Sequence, residues 1–341
     1  MKKVCVCGGG NIGHVAAAFA AARGGCEVSV LTRRPQLWSR QLSVDTPDGS
    51  SFTARLAAVS SDPAEVVPAA DIVLLCLPGY SVRPALLHIL PHLSAATAVG
   101  SVVSSTGFFF QALGILPVGQ PLFGLQRVPF IARVSEYGHR ASLLGYKESL
   151  CLAVEHTPHP ESIREAIEQM FRTPTLLAGN YFEVSLSNSN PLLHPARLYD
   201  LLLDWHEGQV FARIPLFYEE WTERAATFYI QMDSELHQLV SSLPAVKVRI
   251  PTVLDYYEST DAATLAAKLR SIGAFKGIKA PMKAADGGFV PDFQSRYFTE
   301  DFPFGLNIIR QLARQHHVPT PTMDQVGSWG DSLLNKAEAA V

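Results

Sequence analysis

Three observations predict an α/β Rossmann-type N-terminal domain with a mainly α-helical C-terminal domain. A short apolar run at 4–7 ends in Gly8-Gly9-Gly10-Asn11-Ile12-Gly13, an alanine-rich stretch follows to Arg23, and a second apolar run covers 27–31. Further apolar runs close in loops rich in Gly, Pro or Ser, the rhythm of alternating strand and helix. After Gly179-Asn180 these runs fade and long amphipathic patterns replace them. The expected division is a dinucleotide-binding domain over 1–180 and a helical domain over 181–341, since 341 residues suit two cores rather than one.

The opening unit reads strand, G-x-G-x-x-G, helix, a Gly24-Gly25 stop, strand. Gly8 allows the tight turn, Gly10 removes a side chain that would block a pyrophosphate, and Gly13 lets helix and strand approach closely. The phosphates then sit at the helix N-terminus, beside Asn11 and Ile12, where free N–H groups and the dipole favour anions. At the end of the second strand an NAD site usually carries Asp or Glu for the ribose 2′-hydroxyl. This chain has Thr32-Arg33-Arg34, and its nearest downstream acid is Asp45. Two guanidiniums can pair with a 2′-phosphate and no carboxylate repels it, so NADP(H) is favoured over NAD(H).

Residues 71–77 form a buried strand running into Leu77-Pro78-Gly79, and 98–103 followed by 104–107 repeat the pattern. In a doubly wound sheet such loops lie at the carboxyl edge, which puts Leu77 and Pro78 among the cofactor candidates. Strands near 121–125 and 148–154 and a helix near 160–172, with Pro160 just inside its start, complete the layer. In the second half, helical patterns cover 196–209 and 214–243. Phe217, Tyr218, Trp221, Phe228 and Tyr229 recur at near-helical spacing and read as core packing. Helices resume at 262–271 and 306–316, and Pro-Thr-Pro-Thr at 319–322 breaks the chain before a last short helix.

Composition narrows the class. An apolar fraction of 48% with 17% charged residues is that of a soluble globular protein. A net charge of −3 with scattered basic residues speaks against nucleic acid and against anionic membranes. Five cysteines without a Cys-x-x-Cys spacing predict neither a metal site nor a disulfide framework. No apolar run reaches the ~18 residues of a membrane span, and the Met1-Lys2-Lys3 start runs straight into a strand with no signal peptide. The expectation is a cytoplasmic protein whose partners are small molecules, with a homodimer as the one assembly considered.

The chemistry-bearing residues lie in the second half. Asn188-Ser189-Asn190-Pro191 reads as a helix start, which puts His194 in or just before the first turns. A helix N-terminus disfavours an imidazolium unless a carboxylate compensates. Asp301 is the expected carboxylate, with adjacent Glu300 as its rival, and Arg296 adds a cation for an anionic substrate. A His–Asp dyad poised near neutrality suits proton transfer beside a hydride donor.

These motifs carry a resemblance. With the glycines at 8–13, the stretch 124–147, SNSNPLLHP at 187–195 and RYFTEDFPFGL at 296–306, the chain resembles the opine dehydrogenases of the octopine/nopaline dehydrogenase family. The resemblance implies that His194 is the acid/base, that Asp301 orients it, and that Arg296 grips a substrate carboxylate, with Gln126 and Arg127 candidates for a second anionic group. It implies reductive condensation of an amino acid with a 2-oxo acid. Two alternatives stand beside it: a ketopantoate-reductase-like oxidoreductase that reduces a carbonyl without any amine, and a non-catalytic NADP(H) sensor. Such reductases commonly use a lysine of the helical domain, and 181–246 contains none.

Overall fold

The computed structural model describes residues 1–104, 107–243 and 250–339, with side chains to 335. The chain forms two compact units, Met1–Asn188 and Ser189–Val341.

In the first unit, β1 (Lys3–Cys7), α1 (Asn11–Ala22) and β2 (Glu27–Leu31) follow the spacing of the glycine fingerprint. Next come β3 (Gln41–Asp45), β4 (Ser51–Arg55), β5 (Ala58–Ser60), α2 (Pro63–Val66), β6 (Ile72–Leu75), α3 (Gly79–Ile89), β7 (Ala98–Ser101) and α4 (Phe108–Leu113). The unit ends with β8 (Leu122–Leu125), β9 (Phe130–Glu136), β10 (Arg140–Tyr146), β11 (Leu150–Glu155), α5 (Pro160–Phe171), β12 (Thr175–Leu177) and α6 (Tyr181–Leu186). Eight strands make the main sheet in the order β12-β11-β8-β7-β6-β1-β2-β5. Only the β11–β8 pair is antiparallel. Strand β1 is the hub. It pairs in parallel with β2 and β6, so Cys7 lies level with Leu31 and Leu75 and three strand ends open at one edge. The continuous apolar reading of β1 and β6 follows from burial on both faces.

A second sheet, of order β4-β3-β10-β9, was not foreseen from the sequence. Its signal is present but local. Leu42 and Val44 alternate with polar neighbours, and Pro47-Asp48-Gly49 supplies a turn, with Gly49 at φ +81°. Helix α1 packs against strands of both sheets. That placement explains its composition: Ala16, Ala17, Ala18 and Ala20 are all fully buried, since only small side chains fit a helix covered on both sides.

Strand β9 and the turn after it are each tied to the start of α1 at one point. The Val134 N–H donates to Oδ1 of Asn11 at 2.8 Å, and the Gly138 N–H donates to Nε2 of His14 at 2.7 Å. Since a backbone N–H can only donate, Nε2 must carry the lone pair. The proton then sits on Nδ1, facing the Gly10 carbonyl at 2.9 Å. His14 is thus held as one neutral tautomer, flanked by Trp38 at a ring-centroid distance of 4.2 Å.

In the second unit, α7 (Asn190–Leu202) and α8 (Glu223–Ser242) pack together. They are followed by α9 (Val253–Tyr256), α10 (Ala262–Ser271), a hairpin of β13 (Met282–Ala285) and β14 (Gly288–Pro291), α11 (Arg296–Thr299), a π-helical turn (Phe302–Leu306), α12 (Asn307–Gln315) and α13 (Pro321–Ala339). No helix among the described residues is long and apolar enough to cross a membrane.

Several expected boundaries move. The helix expected over 196–209 begins at Asn190 and ends at Leu202, and the one expected over 214–243 retains only Glu223–Ser242. Residues around Pro215 are extended instead, because they bond the segment near 279. The Ala280 N–H donates to the Pro215 carbonyl and the Phe217 N–H to the Ile278 carbonyl. The last helix, α13, is long rather than short. The two compact units divide at Asn188/Ser189, and α6 packs on β11 and β8 of the first unit. Tyr181 stacks there on Phe109, and its N–H donates to Glu155.

Burial holds the pKa of His14 below its ordinary 6.5, against an opposing bond to the Gly10 carbonyl. A depressed folded-state pKa contributes stability that is complete above about pH 6.5 and lost as pH falls through the lower folded value. The denaturant midpoint of the wild type should therefore fall on acidification between about pH 8 and 5 more steeply than that of His14→Gln. Parallel curves for the two proteins would remove His14 from the acid sensitivity.

Candidate active site

The glycine loop has the shape a pyrophosphate requires. Gly8 has φ +121°, and a Cβ there would lie 2.6 Å from the Cys76 carbonyl oxygen. A Cβ on Gly13 would lie 1.9 Å from the Gly8 carbonyl oxygen, so helix and turn meet backbone to backbone. A Cβ on Gly10 would meet nothing within 4 Å. That open space lies at the N-cap of α1, above the first-turn N–H groups that have no helical partner. The loop therefore fits a dinucleotide phosphate. Ile12 turns its side chain to the core, and the Asn11 side chain is occupied by Val134, so both offer a ligand their backbone. Leu77 leans over Gly8, with Pro78 as the N-cap of α3. Ser105 and Thr106 of the other expected loop lie outside the described residues.

At the end of β2, Thr32 is buried, whereas Arg33 and Arg34 are exposed. Neither arginine makes an ion pair among the described residues. The only nearby acid the sequence offered, Asp45, is taken by Arg140 in a two-pronged bond of 2.9 and 2.7 Å. Tyr137, from the β9–β10 turn, completes this corner. Its hydroxyl lies 3.3 Å from Thr32 Oγ1, and the Arg34 guanidinium stands 4.6 Å over its ring. Burial would raise the Tyr137 pKa, but bonds to Thr32, Trp38 and Arg34 and the Arg34 charge outweigh it and bring the phenol below its usual value. Tyr137 was missed because it belongs to the unforeseen second sheet, 105 residues from Thr32.

In the second unit, His194 lies one turn into α7, behind Pro191. Its Nδ1 is 2.7 Å from Asp301 Oδ2. Glu300, the rival carboxylate, is buried beside Asp301. Asp301 is aimed by the π-helical turn, in which the Leu306 N–H bonds back to the Asp301 carbonyl at 2.8 Å. The turn sits close on α7 at Gly305, where a Cβ would come within 2.9 Å of the Pro191 side chain.

The other ring nitrogen, Nε2, is 2.9 Å from the Tyr218 hydroxyl. Tyr297 covers the ring at a centroid distance of 4.4 Å. His194 is 8% exposed and Tyr218 5%. Tyr218 had been read as helical packing. It instead lies in the turn that follows the bonded segment at 215–217, and its hydroxyl faces the histidine. Sequence periodicity held no signal for that contact.

Arg296, the first residue of α11, is exposed and forms no ion pair among the described residues. Its cation is thus available on the same short segment that carries Tyr297 and Asp301. In the first unit, Gln126 Nε2 donates to Ser187 Oγ at 2.6 Å, and Arg127 beside it is exposed. The site residues fall into two sets: glycine loop, arginines, Gln126 and Arg127 in one unit, His194, Asp301 and Arg296 in the other.

Comparison with known proteins bears on both sets. Residues 177–334 match the family model described as NAD/NADP octopine/nopaline dehydrogenase, alpha-helical domain. Residues 4–105 match that of ketopantoate reductase PanE/ApbA. The chain is 31% identical to an opine dehydrogenase of Haliotis discus hannai, over 98% of this chain and 90% of that one. It is 29% identical, at the same coverage, to an octopine dehydrogenase of Mizuhopecten yessoensis. Its fold superimposes on an octopine dehydrogenase solved with NADH and L-arginine at a TM-score of 0.87 and 26% identity, covering 98% of this chain and 90% of that one. A ketopantoate reductase from Ralstonia eutropha JMP134 shares the fold at a TM-score of 0.67 and 17% identity, covering 98% of this chain and 99% of that one. With the helical domain matched and a relative of this identity along nearly the whole chain, the protein belongs to the opine dehydrogenases of the octopine/nopaline dehydrogenase family.

Proposed function

We propose that this chain condenses the amino group of an amino acid with a 2-oxo acid and reduces the product with NADP(H), using His194 as acid/base. The observation that carries the reading is the buried His194–Asp301 pair at 2.7 Å, on the same segment as an exposed arginine without an ion pair. Family membership supplies the reaction class, an NAD(P)-dependent oxidoreductase acting on CH–NH donors, and sets aside a non-catalytic sensor. The related octopine dehydrogenase has been solved with NADH and L-arginine and with NADH and pyruvate. An amino acid and a 2-oxo acid are therefore the substrate classes to expect here.

The chemistry follows from the groups present. An amino acid arrives as an ammonium and cannot attack a carbonyl until it loses a proton. Neutral His194 accepts that proton, and the resulting imidazolium is stabilised by Asp301 at the far nitrogen. The amine attacks the keto carbon, one of its protons passes to the former carbonyl oxygen, and His194 returns its own proton to that hydroxyl, which leaves as water and yields a protonated imine. NADPH, held at the glycine loop, would supply the hydride that reduces the protonated imine to a secondary amine. Arg296 holds a carboxylate with two parallel N–H bonds, a geometry that a lysine ammonium cannot copy. Gln126 and Arg127 are the proposed contacts for a second anionic group.

The preference for NADP(H) is supported by the corner at the end of β2. Asp45, the nearest downstream acid in the sequence, is paired with Arg140. Arg33 and Arg34 are without ion pairs among the described residues, and Tyr137 supports the Arg34 guanidinium by its face.

NADPH oxidation by the purified protein, measured against a grid of 2-oxo acids and amino acids with each also tested alone, should require both partners. Turnover with the oxo acid alone would select the ketopantoate-reductase-like reading, which the match over 4–105 keeps in view. His194→Ala should bind NADPH as the wild type does and lose ~10²-fold or more in turnover, the scale of one acid/base group; unchanged turnover refutes its role. Arg296→Lys should raise the KM of the substrate whose carboxylate it holds by roughly tenfold, the scale of a lost charge-assisted bond. An unchanged KM would show that Arg296 holds no carboxylate. Arg33→Ala with Arg34→Ala should weaken NADPH binding much more than NADH binding, and equal losses would show that no 2′-phosphate is read there.

A further inference from the structure

The ring of His194 has no vacant nitrogen, and this bears on how it can act as a base. Asp301 accepts at Nδ1, which puts the ring proton there. A carboxylate in that place favours the imidazolium, and an imidazolium cannot take a proton from substrate. The remaining lone pair, on Nε2, meets the Tyr218 hydroxyl at 2.9 Å. With the ring neutral, the phenol must be the donor. A donor on that lone pair favours the neutral ring, opposite in sign to Asp301.

We propose that Tyr218 is a positioning residue that donates to Nε2 of His194 and holds the ring as the neutral base until substrate arrives. The incoming ammonium then takes over the bond that Tyr218 vacates. The proposal rests on reading His194 as the acid/base.

The construction around Tyr218 fits such a role. The phenol is held from the same helix as the histidine. Arg197, three residues after His194 on α7, is buried and donates from Nε to the Phe217 carbonyl at 2.9 Å, immediately before Tyr218. The Phe217 N–H is bonded in turn to the Ile278 carbonyl. The Tyr218 ring stacks on Phe275 at 4.0 Å, with Trp221 parallel at 6.1 Å. The hydroxyl is thus held by backbone bonds as well as by packing. The ionisable groups facing the pair are Asp301, Tyr297 and Tyr257. Arg197 is nearby, but its guanidinium is directed to Phe217 and Asp200. Burial, with Tyr297, Tyr257 and Asp301 adding to it, keeps Tyr218 a phenol and so a donor at working pH. Burial and Asp301 do the same for Tyr297.

The test is the titration of the His194 ring by nitrogen-15 NMR, with neither cofactor nor substrate present, its signals assigned by their loss in His194→Asn. The neutral wild-type ring should carry its proton on Nδ1. Tyr218→Phe removes the hydroxyl and keeps the ring. It should raise the His194 midpoint by roughly half a pH unit or more, the scale of one hydrogen bond. Because the base form is needed to accept the ammonium proton, the acidic limb of kcat/KM should move to higher pH by the same amount. A role in packing alone would lower stability and rate without moving either midpoint, and that result would overturn the proposal. So would a wild-type ring protonated on Nε2, an observation that needs no variant to fold. Failure of the proposed reaction is separable, since the titration does not depend on turnover.

Discussion

The second unit depends on one contact, the bond between Nδ1 of His194 and Asp301. Two partly buried groups of potentially opposite charge are stable together only when geometry is good and the remaining polar atoms are satisfied. Much of the surrounding structure meets those conditions. Pro191 and Gly305 bring the π-helical turn against α7 with little room to spare. The π-type bond from Leu306 to Asp301 sets the carboxylate's direction, and Tyr218 satisfies the nitrogen that Asp301 leaves over. The groups that aim the histidine come from two segments far apart in sequence, around 217 and around 297–301, each tied to α7 by a bond or close approach.

The first unit solves a different problem. A dinucleotide needs open space and free N–H groups at a helix start, and both would be lost if α1 shifted. Helix α1 is clasped between two sheets, and its first turn is held from β9 and the turn after it through Asn11 and His14. The same turn delivers Tyr137 to Thr32 and Arg34. One region therefore both braces the glycine loop and supplies the Tyr137 side chain beside Thr32 and Arg34. His14 brings pH sensitivity with it, since its place requires a neutral ring.

Legibility in the sequence followed the range of the interaction. The glycine fingerprint could be read because each glycine answers to a neighbour a few residues away along the strand, loop and helix. Strands β1, β6 and β7 could be read because burial on both faces leaves largely apolar runs, and β2 because it follows the glycine fingerprint and the helix. The sheet of β3, β4, β9 and β10 escaped because its strands are partly exposed and lack continuous apolar runs, and β3 pairs with β10 nearly a hundred positions away. Helix limits in the second unit failed at Pro215 for a related reason. The amphipathic spacing of 214–221 suits a helix, but bonds to residues near 279 supply its backbone partners instead.

The sequence by itself determined the fold class and the glycine loop, and it singled out His194 and Asp301 as candidates for proton transfer, because these rest on local backbone geometry and on residue type. It also named His194, Arg296 and Asp301 as a group, through motifs whose residue types have few other uses together. Tertiary structure alone decided which carboxylate meets Nδ1 of the histidine, that of Asp301, and which phenol meets its other nitrogen. It alone brought Tyr137 to Arg34 and took Asp45 away to Arg140. Hydrogen bonds of under 3 Å and ring contacts of a few ångströms between residues a hundred positions apart have no periodicity, so only the folded chain can specify them.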